Sequence, residues 1–272
     1  MPEQRTIRSL IHEATRTLSK SGVDSAELNA RLLLAHVLGV EEWQLGVYRK
    51  KISEQQANQL GGLIQKRSQR IPLQHLVGSV GFYGLDVQVS PSALIPRPET
   101  ELLVETVIKT IHSQQKQNEP VKLLDMATGT GCIALALAKE LPMAQVWGLD
   151  ISEAALTLAR NNASNSGLEK RVTWIHSDMW SGIKDPQQQW DYIISNPPYI
   201  PSHEIRELEP EVRDHDPKLA LDGGQDGLDI YRILAHQAGR WTTQRGFIFL
   251  ACGKDQAQAI QILFKSASWA AD

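Results

Sequence analysis

The stretch "VKLLDMATGTGCIALALAKEL", residues 121–141, decides how the second half of the chain folds. Its apolar opening "VKLLDMA" predicts a buried strand, the glycines predict a tight turn, and "CIALALAKEL" predicts a helix. The same rhythm continues downstream, where "QVWGLDI", "VTWIHSD", "WDYIISN" and "GFIFLAC" are strand-like and helical stretches separate them. Strands that alternate with helices predict an α/β fold with a mostly parallel sheet that is covered on both faces.

The first 75 residues have a different, helical pattern. Apolar residues recur at helical spacing in "TIRSLIHEATRTLSKSG". Further along, Asp24 with Glu27 and Ser53 with Gln56 predict capping boxes at the starts of two more helices. No catalytic constellation occurs in this part, so we expect a small helical bundle that docks a substrate.

A short linking element is predicted between the bundle and the α/β domain. The runs "VGFYG" and "LDVQVS" within residues 76–96 are strand-like and predict a β-hairpin. The domain boundaries that follow are a helical docking domain at residues 1–75, the hairpin at 76–96, and the catalytic domain at 97–272.

Composition limits the class of protein. The chain has 272 residues, 42% of them hydrophobic, and a formal net charge of -3, so it can bury a sizeable core and lacks the basic excess of nucleic-acid binders. Its two cysteines are spaced neither as metal ligands nor as a redox pair, which fits a reducing cytosol. No window has the length and apolar character of a membrane span. We predict a cytoplasmic protein with no direct nucleic-acid partner, no membrane partner and no metal.

Polar residues follow the predicted strands, at the edge where ligands of parallel sheets bind. They are Asp125, Asp150, Asp178 and Asn196. The run "GTGCIA" fits the loose dinucleotide fingerprint, with Asp150 as its ribose acid, but this match alone is weak and leaves two cofactor classes open. A carboxylate at Asp125 would repel a pyrophosphate and attract the sulfonium and ammonium groups of S-adenosylmethionine, which favours the second class. A carboxylate that only caps the glycine turn is the alternative interpretation of Asp125.

The run "SNPPYI", residues 195–200, ends a buried strand with an amide side chain and two residues that lack a backbone N–H. The side-chain oxygen of Asn196 and the carbonyl of Pro197 could each accept one N–H of a planar NH2 group. The ring of Tyr199 could pack on that flat group. A simple proline turn is the alternative interpretation.

Several of these motifs together resemble a known family. "DMATGTG", "GLDIS", "SD" and "SNPPYI" resemble class I S-adenosylmethionine-dependent methyltransferases, and Asn-Pro-Pro-Tyr is similar to the signature of enzymes that methylate planar nitrogens. "LIPRPETE" and "PKLALDGGQDGLDIYR" further resemble the HemK/PrmC family, which methylates the glutamine of the Gly-Gly-Gln tripeptide in peptide-chain release factors. The resemblance covers nearly the whole chain and implies a Rossmann-like catalytic domain.

The resemblance also implies the residues of the site. S-adenosylmethionine, which leaves as S-adenosylhomocysteine, would contact Asp125, Ala127, Thr128, Gly129, Thr130, Gly131, Asp150, Asp178, Met179 and Asn196. The substrate glutamine would contact Arg97, Asn196, Pro197, Pro198 and Tyr199, and three of these, Asn196, Pro197 and Tyr199, would be catalytic. An ion pair with Glu101 at the start of a helix is the alternative use of Arg97.

Two other functions stay open at this point. Enzymes that methylate the amino groups N6 of adenine or N2 of guanine in nucleic acids share the Asn-Pro-Pro-Tyr chemistry. A truncated, non-catalytic relative is the third possibility, because members of the family continue past the last helix with two more strands, whereas this chain stops at "SASWAAD". We therefore expect the sheet to lack those strands. No residue pattern indicates an oligomeric state.

Overall fold

The computed structural model describes residues 6–269. The chain divides into two compact units, the first made of Met1–Gly78 with Glu209–His215 and the second of Ser79–Leu208 with Asp216–Asp272. The first boundary lies three residues beyond the predicted end of the helical bundle. The short segment 209–215 lies, in sequence, inside the α/β domain but packs with the first unit.

The first unit is a helical bundle. Its helices are α1 (Ile7–Lys20), α2 (Ala26–Leu38), α3 (Glu54–Ser68) and α4 (Leu73–Val77), with a 3₁₀ segment at Glu42–Val47 and the single turn α8 (Pro210–Arg213). Their apolar faces meet in one core, in which Leu18, Leu33 and Leu34 are fully buried. The apolar residues that recur at helical spacing in the sequence therefore form this core.

The start of α3 confirms one predicted capping box and the start of α2 shows that the other prediction was wrong. Ser53 Oγ accepts a hydrogen bond from the backbone N–H of Gln56 at 3.2 Å, and Gln56 Oε1 accepts one from the Ser53 N–H at 2.9 Å. Helix α2 begins one residue later than the Asp24 box requires, because Ser25 takes a left-handed φ of 49° and no side chain caps the helix. The Asp24 carbonyl instead accepts a hydrogen bond from the Asn29 side chain at 3.1 Å.

One carboxylate holds segment 209–215 in the first unit. Glu211 forms ion pairs with Arg67 (Nη2–Oε1, 2.8 Å) and Arg70 (Nη2–Oε2, 2.6 Å). The Arg67 side chain is 7% exposed and that of Glu211 is 18% exposed, so the cluster is largely removed from water. Burial by itself would raise the pKa of Glu211, but the hydrogen bonds from Arg70 and Arg67 outweigh it and hold the pKa below its ordinary value.

Replacing Glu211 with glutamine is expected to lower the free energy of unfolding by about 2 kcal/mol at pH 7, because two guanidinium groups lose their charged acceptor. The folded-state pKa of Glu211 lies below its unfolded value. The wild-type chain therefore holds this stability above the unfolded pKa and loses it as the pH falls through the folded pKa. Urea unfolding at decreasing pH should show the two proteins converging once the pH has fallen below the lowered folded-state pKa of Glu211.

Glu209→Gln is the matched control for this prediction. Glu209 lies in the same segment and also pairs with Arg70, but its side chain is 72% exposed. Exposed ion pairs contribute little, so this variant should keep the wild-type unfolding midpoint. Equal losses in the two variants would contradict a special role for the buried carboxylate.

The second unit is an α/β domain preceded by a hairpin of β1 (Ser79–Phe82) and β2 (Leu85–Gln88). Its remaining strands are β3 (Lys122–Met126), β4 (Gln145–Asp150), β5 (Val172–His176), β6 (Trp190–Ser195) and β7 (Thr242–Leu250). Its helices are α5 (Pro98–Ser113), α6 (Cys132–Glu140), α7 (Glu153–Asn165), α9 (Asp229–Trp241) and α10 (Ala257–Ser266). No helix within residues 6–269 is both long enough and apolar enough to cross a membrane.

The main sheet, as far as residues 6–269 define it, runs in the order β5-β4-β3-β6-β7, and every neighbouring pair of strands is parallel. The order of strands reverses at β3, since β4 and β5 extend the sheet on one side and β6 and β7 on the other. Ligands of such sheets bind in the crevice beside a reversal of this kind. The parallel sheet predicted from the sequence is confirmed, and its carboxyl edge is the place to look for a site.

Successive side chains of β3 point to opposite faces of the sheet, and each face is covered by helices. Leu123 packs in a cluster with residues of α5 and α6, while Leu124 packs in a second cluster with residues of α9 and α10. Both leucines are fully buried. The continuous apolar run of this strand follows from burial on both faces.

Candidate active site

The turn between β3 and α6 forms one wall of the site. Ala127, Gly129 and Gly131 all take left-handed backbone conformations there, with φ of 57°, 55° and 82°. Gly131 has no room for a side chain, because a Cβ would lie 2.8 Å from a ring carbon of Trp174 and 3.0 Å from the Cβ of Ala159. This glycine therefore lets the start of α6 pack closely against β5 and α7.

Asp125 lies behind this turn and is fully buried. Its Oδ2 accepts hydrogen bonds from the Thr128 hydroxyl and, at 3.1 Å, from the backbone N–H of Ala134, whereas Oδ1 has no partner among the described residues. Burial raises the pKa of Asp125 to about 7, against the lowering effect of these two hydrogen bonds and with a smaller raising effect from Asp150. The carboxyl group therefore braces the turn from inside the protein.

Asp150, the last residue of β4, connects two strand ends. Its Oδ2 accepts a hydrogen bond from the Gly129 N–H at 2.8 Å and its Oδ1 accepts one from the Ser152 N–H at 2.9 Å. Burial raises the pKa of Asp150, and the backbone hydrogen bonds from Ser152 and Gly129 oppose that rise. Each carboxylate oxygen can accept a second hydrogen bond, so the group remains able to bind a diol.

Asn196 lies at the end of β6, beside the end of β3. The hydroxyl of Ser195 donates a hydrogen bond to the Met126 carbonyl at 2.7 Å, which ties the two strand ends together. The Asn196 side chain donates from Nδ2 to Thr100 Oγ1 at 3.3 Å. Its Oδ1 accepts no hydrogen bond from any residue in the described part of the chain and is available for a ligand.

The backbone that follows Asn-Pro-Pro forms hydrogen bonds with two segments that are distant in sequence. The Tyr199 carbonyl accepts a hydrogen bond from Gln256 Nε2 at 2.8 Å. The Ile200 N–H donates to the Leu221 carbonyl at 3.0 Å, and the Gly223 N–H donates to the Ile200 carbonyl at 2.9 Å. The loop around residues 221–227 and the start of α10 thus set the path of the chain beyond the site.

Gly227→Ala is expected to lower the free energy of unfolding by about 2 kcal/mol and to lower kcat as well. Gly227 has a φ of 76°, and a Cβ there would overlap the Tyr199 carbonyl oxygen and lie 2.5 Å from Gln256 Nε2. The hydrogen bond between these two groups must then break or shift. Gly167→Ala is the control, since Gly167 has a φ of 67° but open space around it. If Gly227→Ala and Gly167→Ala changed the urea unfolding midpoint and kcat by the same amounts, the prediction would be wrong.

One cavity opens at the carboxyl edge of the sheet, and most of the predicted site residues line it. Those that line it are Arg97, Ala127, Thr128, Gly129, Thr130, Asp150, Asp178, Met179, Asn196 and Pro198. Four predicted residues, Asp125, Gly131, Pro197 and Tyr199, do not line it. Asp125 and Gly131 lie behind the turn, Pro197 is buried, and Tyr199 packs against the apolar cluster formed with α9 and α10.

Residues that the sequence reasoning did not assign to the site also line the cavity. They include Leu94, Pro96, Thr100, Pro217, Leu219 and Ala220. All six belong to the two proline-containing stretches "LIPRPETE" and "PKLALDGGQDGLDIYR". The resemblance of those two stretches to family motifs was the available signal that they belong to the site. Their sequence alone does not indicate which side chains reach a ligand.

Arg97 pairs with Asp216 rather than with Glu101, so the alternative prediction of an Arg97–Glu101 ion pair was wrong. The distance between Arg97 Nη2 and Asp216 Oδ2 is 2.7 Å, and the Asp216 side chain is fully buried. Glu101 instead accepts a hydrogen bond from the backbone N–H of Tyr83 at 2.8 Å. The loop that carries Asp216 therefore contacts the start of α5 at the mouth of the cavity.

Comparison with known proteins identifies the relatives of the chain. The PrmC N-terminal domain matches residues 9–78 and the methyltransferase small domain matches residues 98–212. The release factor glutamine methyltransferase of Geobacter sulfurreducens is 38% identical, over 97% of this chain and 89% of that protein. The chain belongs to the release factor glutamine methyltransferase family. The enzyme of that name from Deinococcus radiodurans is 37% identical, over 98% of this chain and 92% of its own length.

A solved structure supports the fold independently. The hMettl16 catalytic domain, determined in complex with the MAT2A 3′UTR hairpin 6, superposes with a TM-score of 0.52 and covers 79% of this chain and 73% of that one. Its sequence is 12% identical, so the likeness concerns the fold alone. The class I methyltransferase fold and the family that the sequence motifs indicated are both confirmed.

Proposed function

We propose that this chain transfers a methyl group from S-adenosylmethionine to the side-chain nitrogen N5 of the glutamine in the Gly-Gly-Gln tripeptide of peptide-chain release factors. The observation that carries the proposal is that Asn196, Asp150 and the glycine turn line the same cavity. An acceptor for a planar NH2 group thus lies beside residues suited to a nucleoside. The names of the related enzymes support a release factor as the substrate.

The acidic surroundings of the glycine turn fit S-adenosylmethionine better than a dinucleotide. Burial raises the pKa of both Asp125 and Asp150, so their carboxylates would be stabilised by a cation and destabilised by a pyrophosphate. Oδ1 of Asp125 has no partner among the described residues, and a cation bound at the turn would favour the ionised form of this carboxyl group. In our assignment the turn residues hold the methionine part, Asp150 holds the ribose, and Asp178 with Met179 contacts the adenine.

The chemistry assigned to the residues of this chain is to position and polarise an amide. S-adenosylmethionine supplies an electrophilic methyl group on a sulfonium sulfur. The substrate nitrogen is a poor nucleophile because its lone pair is delocalised into the carbonyl. Asn196 Oδ1 would accept one of its N–H groups and the Pro197 carbonyl the other, which turns the lone pair towards the methyl group.

These two hydrogen bonds act mainly in the transition state. They strengthen as positive charge develops on the nitrogen, and a proton can leave after transfer, so no strong base is needed beforehand. Pro197 has a fixed φ, which stiffens the peptide that presents its carbonyl. Pro198, Tyr199 and Arg97 remain predicted contacts of the substrate.

We further propose that the first unit, residues 1–75 in particular, docks the release factor. The residues that line the catalytic cavity all belong to the second unit. A groove of the first unit is lined by the exposed basic side chains Arg8, Arg49, Lys50 and Lys51. They outnumber the two exposed carboxylates of the lining, Glu27 and Glu54, so the groove would attract an acidic surface. We propose a cytoplasmic location for the activity, because release factors act at the ribosome.

Tandem mass spectrometry of a release factor incubated with this chain and S-adenosylmethionine tests the proposal. One added methyl group is expected on the glutamine of Gly-Gly-Gln, and none on a release factor whose glutamine is replaced by alanine. If the first unit docks the substrate, the intact release factor should show a lower KM than a short Gly-Gly-Gln peptide. An unmethylated release factor, with cofactor binding demonstrated, would overturn the proposal, and methylated RNA in a parallel reaction would favour a nucleic-acid substrate.

A further inference from the structure

The side chain of Thr100 contacts the side chain of Asn196 although the two residues are 96 positions apart in the sequence. Thr100 Oγ1 accepts a hydrogen bond from Asn196 Nδ2 at 3.3 Å. Thr100 is 5% exposed, and both residues line the cavity. The contact joins the first turn of α5 to the end of β6 through side-chain atoms alone.

The contact bears on which end of the Asn196 amide faces the substrate. The two ends of an asparagine side chain are similar in size, but one only accepts and the other only donates hydrogen bonds. A substrate NH2 group needs an acceptor, so the productive orientation is the one that directs Oδ1 at the substrate. With Nδ2 bound to Thr100, Oδ1 is the end that stays available.

We infer that Thr100 is a positioning residue, which anchors the donor end of the Asn196 amide so that its oxygen accepts the substrate N–H. The inference rests on the proposed function. Thr100 acts through Asn196 and needs no contact with the substrate itself. Its contribution is to reduce the rotation of the amide before the substrate binds.

The surroundings of Thr100 hold its hydroxyl in place. The Thr100 N–H donates to the Arg97 carbonyl at 3.0 Å, within the first turn of α5, and Pro98 begins that helix. The same turn is joined to the hairpin by the hydrogen bond from the Tyr83 N–H to Glu101, and to the loop that carries Asp216 by the ion pair between Arg97 and Asp216. A branched side chain on a helix that is fixed on two sides has little freedom to move.

Thr100→Val, which keeps the shape and removes the hydroxyl, tests the inference. We expect kcat for methylation of the release factor to fall about tenfold, as for a lost hydrogen bond, while the Kd of S-adenosylmethionine stays unchanged. Thr100→Ser restores the hydroxyl and should bring kcat back to within about threefold of wild type. Thr106→Val on the exposed face of the same helix, where the hydroxyl bonds only the Leu102 carbonyl, is the control and should match wild type.

A double-mutant cycle with Asn196→Ala separates positioning from a general structural effect. If Thr100 acts through Asn196, Thr100→Val should lower kcat in the wild-type chain but cause no further loss in the Asn196→Ala chain. The same loss in both backgrounds would overturn the inference, as would full kcat in Thr100→Val. Unfolding curves establish that each variant is folded under assay conditions.

The outcomes also distinguish this inference from the function on which it rests. A wild-type chain that binds the cofactor but leaves the Gly-Gly-Gln glutamine unmethylated would overturn the proposed function, and the inference with it. An active wild-type chain whose Thr100→Val variant keeps full kcat would overturn the inference alone.

Discussion

Alanine in place of Asn196 is expected to lower kcat by about 10²–10³-fold while leaving the affinity for S-adenosylmethionine nearly unchanged. In the proposed mechanism the lost oxygen is the acceptor whose hydrogen bond strengthens as charge develops on the substrate nitrogen, so the loss falls on the transition state. The fold should tolerate the change, because the side chain is half-buried and makes one hydrogen bond, to Thr100. Single-turnover rates with a Gly-Gly-Gln peptide and calorimetric titration with the cofactor measure the two quantities separately.

Asn161→Ala provides the matched control, since Asn161 is exposed on α7 and does not line the cavity. It should have the wild-type rate and affinity. A fall in cofactor affinity as large as the fall in rate would show that Asn196 serves mainly as a cofactor ligand. The proposed role in polarising the substrate amide would then be wrong.

Asp150→Ala is expected to raise the Kd of S-adenosylmethionine by about 100-fold. Two effects contribute: in the proposed assignment the ribose loses one charged acceptor group, worth about 1.5–3 kcal/mol, and the N–H groups of Gly129 and Ser152 lose their partners. The second effect loosens the turn that the cofactor would contact. At saturating cofactor, kcat should fall by less than about tenfold, because the proposed assignment puts Asp150 at the ribose rather than at the transferred methyl group.

Asp150→Asn is expected to give an intermediate effect. The amide keeps one acceptor but turns an NH2 group towards a backbone donor, either Gly129 or Ser152, so its Kd should lie between those of the wild type and the alanine variant. Fluorescence titration of all three proteins gives the order. A Kd for the alanine variant within threefold of wild type would remove Asp150 from the cofactor site.

The residues that sequence reasoning placed well are those at strand ends. Gly129, Asp150, Met179 and Asn196 each lie at or just after the end of a strand that could be recognised from its apolar run, and all four line the cavity. The physical reason is that parallel strands end at one edge, so the strand pattern alone determines which residues share it. No knowledge of how the helices pack was needed.

The contacts that could not be predicted join residues far apart in sequence without a local pattern. Thr100 with Asn196 and Arg70 with Glu211 are separated by 96 and 141 positions. Which of many polar side chains meet depends on the packing of whole helices and loops. Local signals also failed at Asp24, where a left-handed residue moved the helix start.

The hydrogen bond from Gln256 to the Tyr199 carbonyl has a consequence for when the protein becomes active. It spans 57 positions, and closing a loop of that length costs chain entropy before any contact compensates. Local helices and hairpins form sooner, so the Asn-Pro-Pro-Tyr geometry should be completed late in folding. A ribosome adds roughly 5–20 residues per second, so the chain remains without a competent site for several seconds after Asn196 has been made. Any enzyme of this design would become competent only after the segment that carries Gln256 had been made and had packed against Tyr199.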